Sequence, residues 1–364
     1  WSKPYSYIFQ CNNILENLTD NSMVSDTMRS KLLGEARFFR ALHYFHLVNI
    51  FGDVPEITEK NYRQFTALAR QRKDLIWKLI INDLTEATRL LPVPIPRGDT
   101  ALLSGIRASK WAAKALLARA YLYRNDWQMA IRYANELINS GRYQLEHDLQ
   151  QVFLAKSRET IFQIQSTKPL TETLFFIPPS SSTSPVLILR PELYNSFEPA
   201  DLRRSHWIKR YNQAGKQYSC PFKYKDRLSS GAAREYKVAI RLAEMYLIRA
   251  EAYAQSGQLY GVKSAAADLD TLRCRAGLAG IPENLSKPEM LEKVEQERRL
   301  ELFTEWGHRW FDLKRTNSFT KPDLSRAEEL LTQLKPDFAN HKLLLPVPQE
   351  EQIRNSNLIQ NPGY

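Results

Sequence analysis

The densest group of reactive side-chain types lies in the segment ERRLELFTEWGHRWFDLKRT, residues 297–316, which holds three glutamates, four arginines, two tryptophans and a histidine. Glu297 and Glu301, or Glu301 and Glu305, are one helical turn apart, about 5–6 Å between Cβ atoms, a spacing compatible with the carboxylate pair of a glycoside hydrolase. A general acid needs a raised pKa, however, and the arginines of this segment favour ionised carboxylates. We therefore predict no catalytic residue here and interpret the segment as a structural helix with ion pairs.

The apolar residues of the same segment support the structural interpretation. Helical spacing puts four apolar residues near one face of the segment, namely Leu300, Phe303, Trp310 and Leu313. The charged residues lie near another face. We expect this apolar face to be buried and Glu301 and Glu305 to be paired with basic residues. A helical glycan hydrolase that uses Glu297 or Glu301 is the enzyme-class alternative.

The sequence offers little else for catalysis, cofactor binding or metal binding. It contains no GxSxG, GxGxxG or P-loop motif. The cysteines Cys11, Cys220 and Cys274 show neither CxxC nor Cys/His metal spacing. His43 and His46 have the i, i+3 spacing of two metal ligands, but the aromatic and apolar residues around them indicate a packed helix. We predict neither a cofactor nor a metal site.

Aromatic residues outside the obvious core are plentiful and suit a saccharide ligand. A sugar ring lays its polarised C–H face against an aromatic ring, while its hydroxyls need Asn, Gln, Asp or Arg partners. The predicted ligand-binding residues are Trp1, Tyr5, Phe51 and Tyr62 from the amino-terminal part, and Trp207, Tyr211 and Tyr218 from the middle of the chain. For each of them, filling space beneath a loop is the alternative role.

The composition indicates a folded protein with a basic surface. The chain has 364 residues, 43% of them hydrophobic and 25% charged, and a formal net charge of +11. Lysines and arginines are spread along the whole chain without a nucleic-acid-binding motif, so we predict no nucleic-acid partner. The charge favours, as a secondary prediction about the ligand, an acidic polysaccharide or a host-derived charged glycan. No apolar run approaches the roughly 18 residues that a membrane span requires.

The elements that must position these residues are helical through the first part of the chain. Apolar residues recur there at i, i+3 and i+4, and predict five helices over residues 5–18, 25–51, 74–91, 105–124 and 127–139. Glycine and proline mark where several of them end: Gly52 with Pro55, the prolines of LPVPIPRGD, and Gly141.

The chain also divides by composition. Residues 115–141 and 241–277 resemble tetratricopeptide helical hairpins. Between them, residues 142–237 are rich in Pro, Ser, Thr and aromatic residues and predict loops, apart from a short strand in ETIFQIQ. We predict a helical scaffold over 1–141, a loop-rich middle portion over 142–237, and a helical portion with its tail over 238–364, which together form one intimate unit. The tail has a possible short helix at 349–355.

Four segments together resemble the SusD/RagB family of outer-membrane nutrient-binding lipoproteins of Bacteroidetes: LLGEARFFRALHYFHLVNIFGDVP, AIRLAEMYLIRAEAYAQSG, ERRLELFTEWGHRWFDLKRT and LLPVPQEEQIRNSNLIQNPGY. Their order and approximate spacing match the family along essentially the whole chain. The resemblance implies an all-α, SusD-like fold in which tetratricopeptide-like hairpins support an irregular, loop-rich ligand-binding portion. Ligand residues vary between members of the family, so none is transferred to this chain by motif.

The resemblance implies a function as well. SusD-like proteins are not enzymes; they capture oligosaccharides or polysaccharides at the extracellular face of the outer membrane and act as a lid on a SusC-like TonB-dependent transporter. The resemblance also implies a signal peptide and a lipid-bearing cysteine, which Cys11 does not match, so we expect further residues before Trp1. The interaction-module alternative is a tetratricopeptide scaffold that holds a peptide or protein.

Overall fold

The computed structural model describes residues 1–58, 67–93, 105–180, 183–227 and 233–364. Fourteen α-helices lie within these ranges, with little sheet, and the predicted all-α class is confirmed. The first five are α1 (Ser2–Leu18), α2 (Asp26–Phe51), α3 (Lys73–Leu90), α4 (Lys110–Tyr123) and α5 (Trp127–Ile138). Each begins and ends within a few residues of the range that apolar periodicity predicts.

The remaining helices vary more in length. They are α6 (Thr171–Phe176), α7 (Pro191–Asn195), α8 (Leu202–His206), α9 (Leu242–Gln255), α10 (Ala265–Arg275), α11 (Lys287–Glu301), α12 (His308–Arg315), α13 (Arg326–Leu334) and α14 (Gln349–Arg354), with a 3₁₀-helix at Asn340–Leu343. Helix α14 confirms the short helix predicted for the tail. Among the helices that the structure describes, none is both long and apolar enough to cross a membrane.

Two antiparallel strand pairs accompany the helices. Strand β1 (Thr160–Ile164) pairs with β4 (Lys237–Arg241), and β2 (Ile208–Gln213) forms a hairpin with β3 (Lys216–Pro221). The strand predicted in ETIFQIQ is therefore confirmed, although it is buried on both faces over its first four residues rather than alternating. The hairpin contradicts the expectation of loops for this part of the middle portion.

The chain folds into two compact units that interleave along the sequence. The first unit comprises residues 1–94, 108–125 and 310–364, and the second comprises residues 95–107 and 126–309. These units differ from the three consecutive portions predicted from composition. Helices α4 and α5, predicted as one hairpin, belong to different units because compactness depends on packing and not on adjacency along the chain.

The first unit is organised around the long helix α2. Ser25 caps its first turn by accepting a hydrogen bond from the Met28 backbone N–H, and it ends at Gly52, whose φ of 77° favours glycine. Helix α2 packs against α1 and α3, and α3 packs against α4. Phe45 is the aromatic centre of this core, with ring centroids of Trp77 and Tyr123 at 5.6 and 5.0 Å.

The second unit is organised around helix α9. This helix packs against α5, α10 and α11, and most of its residues are buried. Its four small residues Ala243, Ala250, Ala252 and Ala254 are fully buried, which allows neighbouring backbones to approach closely. The contact between α9 and α10 agrees with the helical hairpin predicted over residues 241–277.

The prediction of one continuous helix over residues 297–316 is wrong. Helix α11 ends at Glu301, and Thr304, Trp306 and Gly307 then adopt positive φ angles of 60°, 40° and 75° before α12 begins at His308. The indole of Trp306 donates a hydrogen bond of 2.7 Å to the Val238 carbonyl, which holds this turn within the second unit.

The four apolar residues assigned to one face of that segment consequently lie on two helices and the turn between them. Leu300, Phe303 and Leu313 are buried as predicted, whereas Trp310 is only half-buried.

Candidate functional site

A pocket in the first unit brings together two of the predicted ligand-binding residues. The start of the chain contributes Trp1, Ser2, Tyr5 and Phe9, the segment after α2 contributes Pro55 and Ile57, and the tail contributes Glu351, Arg354, Asn355 and Leu358. We call this the Trp1 pocket; its volume is about 280 Å³. The aromatic side of the pocket comes from one short segment, because Trp1, Tyr5 and Phe9 are spaced by four residues and share one face of the helix.

The aromatic rings of the Trp1 pocket support one another. The Trp1 ring lies 5.4 Å from the Tyr5 ring, and Phe51 meets it edge-on at 4.9 Å and 85°. Trp1 is half-buried, so part of its ring is open to the pocket. Edge-to-face contacts of this kind favour a defined ring orientation. The indole is therefore held in place before any ligand arrives.

Tyr5 is fixed from both ends of its side chain. Its hydroxyl donates a hydrogen bond of 2.9 Å to the Pro55 carbonyl, and its ring meets Tyr44 edge-on at 6.4 Å. Burial raises the pKa of Tyr5 well above its ordinary value. The hydroxyl is thus neutral and engaged, and Tyr5 offers a ligand its ring.

The tail gives the pocket its polar side. Glu351 accepts a hydrogen bond of 2.8 Å from the Ser2 hydroxyl. The Arg354 guanidinium, 68% exposed, lies 3.9 Å from Glu351, and the buried Asn355 donates a hydrogen bond to the Leu68 carbonyl at 2.9 Å. The pocket thus combines aromatic rings with a carboxylate and an exposed guanidinium that can hydrogen-bond a ligand.

Backbone pairing holds the tail against the end of α2. The Leu345 N–H donates to the Ile50 carbonyl at 2.9 Å. The buried Asn361 amide donates to the carbonyls of Phe51 and Leu345, at 3.0 and 2.7 Å. Residues more than three hundred positions apart in sequence are in this way brought to one site.

Two other predicted residues of the amino-terminal part have different outcomes. Phe51 is only 6% exposed and does not line the pocket, so its prediction as a ligand contact is corrected: it lies behind Trp1 and supports that ring. Tyr62 lies outside the described residues, and its prediction is unchanged.

The predicted residues of the middle portion lie in the second unit. Trp207 is 0% exposed, and its indole N–H donates to the Leu149 carbonyl at 3.0 Å. It is a core residue, which corrects its prediction as a ligand contact. Tyr211 and Tyr218 face each other across the β2–β3 hairpin and are half-buried, with the ammonium groups of Lys209 and Lys216 over their rings.

The charged residues of the 297–316 segment take part in a buried ion-pair network in the second unit. Four cations and five carboxylates contact one another: Arg203, Lys223, Arg241 and Arg275 with Glu159, Asp201, Glu297, Glu301 and Glu305. Arg241 reaches Glu159, Glu301 and Glu305 at 2.7, 2.6 and 2.9 Å. The predicted pairing of Glu301 and Glu305 is confirmed, and the network is not open to a substrate.

Electrostatics agree with a structural role for this network. Burial would raise the pKa of Glu301, but Arg275, Arg241 and Arg203 outweigh burial and hold the pKa well below its ordinary value. For Glu305 burial is likewise outweighed, by Arg241 and Lys223, and its pKa is about 2. A general acid at neutral pH needs the opposite shift. Glu297 does have a raised pKa, through burial, but it is 2% exposed and lies 2.5 Å from Arg203.

The two histidines considered as metal ligands both lie beside aromatic rings, and the His46 ring centroid is 6.2 Å from that of Phe311. The His43 ring stacks on Tyr7 with centroids 5.0 Å apart, and burial lowers its pKa to about 4, which keeps the imidazole neutral. Within the described ranges, no group of three or more His, Cys, Asp or Glu side chains is arranged to hold a metal ion.

Sequence reasoning missed most of the Trp1 pocket. The position of Phe9, one helical turn after Tyr5, is a signal that could have identified it. Glu351, Arg354 and Leu358 carried no such signal, because the contact between the tail and α1 is non-local and nothing in either segment specifies the other.

Comparison with known proteins identifies the class to which this fold belongs. A SusD superfamily protein from Parabacteroides distasonis superposes with a TM-score of 0.84 at 24% identity, over 100% of this chain and 85% of that one. A laminarin-binding SusD-like protein superposes with a TM-score of 0.81 at 27% identity, over 100% of this chain and 85% of the other. The fold is that of the SusD superfamily.

The sequence matches the same class. A family model described as the SusD family matches residues 194–364, and one described as "Starch-binding associating with outer membrane" matches residues 1–122. SusD-like protein P2 of Formosa agariphila is 28% identical over 100% of this chain and 80% of its own length. The starch-binding protein SusD of Bacteroides thetaiotaomicron is 28% identical over 40% of this chain and 26% of its own. The chain belongs to the SusD/RagB family.

Proposed function

We propose that this protein binds oligosaccharides or polysaccharides without cleaving them, and that the Trp1 pocket is a saccharide-binding site. The observation that carries the proposal is the fixed, partly open Trp1 ring beside the polar groups of the tail. Among the relatives, one is named as starch-binding and one as laminarin-binding. These names support a glucan as the first ligand class to test.

The size of the pocket limits what it takes. Its volume of about 280 Å³ is at the small end of the roughly 300–1,000 Å³ typical of small-molecule sites. We infer that it receives a short portion of a saccharide chain, with the rest of the chain extending away. Ring stacking on Trp1 and hydrogen bonds to Arg354 and Glu351 then supply the recognition.

A calorimetric titration with starch- and laminarin-derived oligosaccharides tests this site. Trp1→Ala should weaken binding by up to about tenfold, since an aromatic contact contributes about 0.5–1.5 kcal/mol beyond the area that it buries. Phe9→Ala and Ile14→Ala form a matched pair, because both side chains are 37% exposed on α1 and only Phe9 lines the pocket. If Trp1→Ala, Phe9→Ala and Ile14→Ala all bound the oligosaccharides with the same affinity, the assignment of the Trp1 pocket as the saccharide-binding site would be contradicted.

The proposal extends to delivery of the bound saccharide to a SusC-like TonB-dependent transporter at the outer membrane. The support is family membership together with the outer-membrane association named in one family description. Affinity capture from detergent-solubilised outer membranes should recover a TonB-dependent transporter. Capture without any such transporter, by protein that still binds saccharide, would contradict the delivery role and leave saccharide binding standing.

The absence of hydrolysis is part of the same proposal. The carboxylates considered for a hydrolase, Glu297 and Glu301, are 2% and 0% exposed and are paired with arginines. A labelled oligosaccharide should therefore be recovered intact after prolonged incubation. Cleavage that disappears in Glu301→Gln would establish the hydrolase instead. Capture of peptides with no saccharide binding would favour the tetratricopeptide-scaffold alternative.

A further inference from the structure

A second pocket lies in the second unit, between α7, α8 and the first residues of β2. Its volume is about 500 Å³, and its lining includes Tyr194, Pro199, Arg204, Ser205, Ile208 and Arg210. We call it the Tyr194 pocket. It shares no residue with the Trp1 pocket, and none of the predicted ligand-binding residues lines it.

Two arginines converge on one aromatic ring in this pocket. The guanidinium of Arg204 lies over the Tyr194 ring at 4.3 Å from its centroid, and that of Arg210 lies over the same ring at 5.4 Å. Tyr194 and Arg204 are half-buried, and Arg210 is exposed. A guanidinium that stacks on an aromatic ring is oriented by it, while its N–H groups remain available to an acceptor.

These two cations have no carboxylate partner in the part of the chain that the structure describes. Asp201, the acidic residue of the lining, is 2% exposed and is bound by Arg203 at 2.9 Å. The carboxylates near the lining residues in sequence also have partners: Glu192 pairs with Arg190 at 3.3 Å, and Glu198 pairs with Arg273 at 2.9 Å.

Lys209 does not add a third cation to the ring, although it belongs to the lining. Successive residues of a strand point to opposite faces. The Lys209 ammonium accordingly lies over Tyr211 and Phe222, at 5.3 and 4.9 Å, and not with the Arg210 guanidinium over Tyr194. The positive charge at Tyr194 therefore comes from Arg204 and Arg210.

We propose that the Tyr194 pocket binds the anionic substituent, a sulfate or a carboxylate, of an acidic saccharide. Oriented guanidinium groups without partners bind planar or tetrahedral oxyanions through charge-assisted hydrogen bonds. The formal net charge of +11 favours the approach of such a ligand. The saccharide part of the assignment rests on the proposed function, whereas the anionic part rests on Arg204 and Arg210 alone.

The test compares ligands that differ only in charge. Trigalacturonate and its methyl ester form one pair, and a sulfated galactan disaccharide and its desulfated parent form another. Wild-type protein should bind at least one anionic member more tightly than its neutral counterpart, with an affinity that falls as salt is added. In Arg204→Gln/Arg210→Gln the anionic ligand should lose about tenfold or more in affinity, while the neutral counterpart is unaffected.

Two controls separate site chemistry from general charge and from misfolding. Lys216→Gln removes one exposed cation from the same hairpin but outside the pocket, and should leave the affinity within about twofold, as expected for a surface charge. Arg204→Lys/Arg210→Lys keeps the charge but not the forked donors, and should recover only part of the affinity. Unchanged thermal unfolding of each variant verifies that the unit is folded.

Several outcomes would overturn the inference. The first is that wild-type protein binds the charged and neutral members of both pairs with equal affinity, and the second is that it binds neither anionic probe. The third is that Lys216→Gln loses as much affinity for the anionic ligand as Arg204→Gln/Arg210→Gln does. Binding of inorganic sulfate alone or of phosphatidylglycerol vesicles, with neither acidic saccharide bound, would also overturn it. A failed Trp1→Ala test with a successful arginine test would contradict the Trp1 pocket while leaving the Tyr194 pocket intact.

Discussion

The stability of the second unit depends strongly on individual buried charged residues. Glu305 is 5% exposed and contacts Lys223 and Arg241 at 2.6 and 2.9 Å, while the Lys223 ammonium also lies 4.1 Å above the Phe303 ring. Burial lowers the pKa of Lys223 to about 8, since Glu305 offsets only part of the desolvation. Each charge here depends on the others, because removing one partner leaves an uncompensated charge in the interior.

Replacement of Glu305 by glutamine should therefore be strongly destabilising. We expect a loss of about 3–5 kcal/mol in the free energy of unfolding, measured by urea denaturation, because Lys223 and Arg241 lose a common anion. Glu350→Gln is the control: that side chain is 85% exposed beside Arg354, and surface pairs contribute at most about 1 kcal/mol. Similar losses in the two variants would contradict the importance of the buried network.

The stability contributed by Glu305 should also depend on pH in a defined direction. Its pKa is about 2 in the folded protein against an ordinary 4.5. A depressed pKa contributes stability that is fully present above about pH 4.5 and is lost as the pH falls towards about 2, here about 3 kcal/mol. The stability difference between wild type and Glu305→Gln should thus shrink across this range. A stability difference that stays constant with pH would contradict this prediction. The contribution of Glu297, whose pKa is raised, changes with pH in the opposite direction, but it does so in both proteins.

At the residue scale, the sequence could predict that Glu301 and Glu305 are paired, because acidic and basic residues are so dense around them. It could not name their partners. Arg203, Lys223 and Arg241 come from other parts of the second unit, and long-range contacts leave no local pattern. Long-range packing also explains why the prediction of Trp207 as a binding residue was wrong, since nothing near it in sequence indicates that it is completely buried.

Helices were more predictable than turns. Apolar periodicity identified the first five helices because most of them bury one face, although α4 is buried on most sides. The β2–β3 hairpin was missed because its turn uses Ala214 and Gly215, with φ of 46° and 75°, in place of the Asn-Gly that marks such turns. The break after Glu301 was missed because Thr304 and Trp306 rarely adopt positive φ, and only Gly307 signalled it.

The packing of α2 against the end of α3 makes a prediction at the scale of elements. A Cβ on Gly34 would lie 2.8 Å from Leu91 Cγ, and Leu91 is 3% exposed. Gly34→Ala should destabilise by up to about 2 kcal/mol, since an overpacking cost of about 1–3 kcal/mol outweighs the gain of about 1 kcal/mol in helix propensity. In a Leu91→Ala background the same change should become stabilising. Thermal unfolding of the four proteins in this cycle tests it, and an effect of equal sign in both backgrounds would contradict the close approach.

At the scale of the whole molecule, the Trp1 pocket depends on residues from both ends of the chain. The sequence could nominate Trp1 and Tyr5 because aromatic residues at a helix start stand out. It could not supply the tail residues, whose position is set by Asn361 and by the pairing of Leu345 with Ile50. Phe51 lies next to this pairing. Its role as a support for the Trp1 ring likewise depends on long-range contacts that the sequence does not reveal.

Asn361→Ala should consequently affect stability and binding together. It removes the hydrogen bonds that the side-chain amide donates to the carbonyls of Phe51 and Leu345 and the one that its oxygen accepts from Arg70. We expect a loss of about 1–3 kcal/mol in unfolding free energy. Affinity for the saccharide should fall with it, because the tail carries Glu351 and Arg354. The control is Asn357→Ala, whose exposed amide donates to the Ala67 carbonyl. Intact affinity in Asn361→Ala would show that the tail is positioned by other contacts.

Arg241 has a consequence for how the second unit reaches a single structure. It is the last residue of β4, opposite Thr160 of β1, and Glu159 immediately precedes that partner. If β4 slipped by one residue against β1, its side chains would exchange faces. The guanidinium would then leave Glu159, Glu301 and Glu305 without their shared cation. Misaligned strands would thus incur a large electrostatic cost. The register of this short two-stranded sheet is therefore specified by carboxylates that lie outside the sheet.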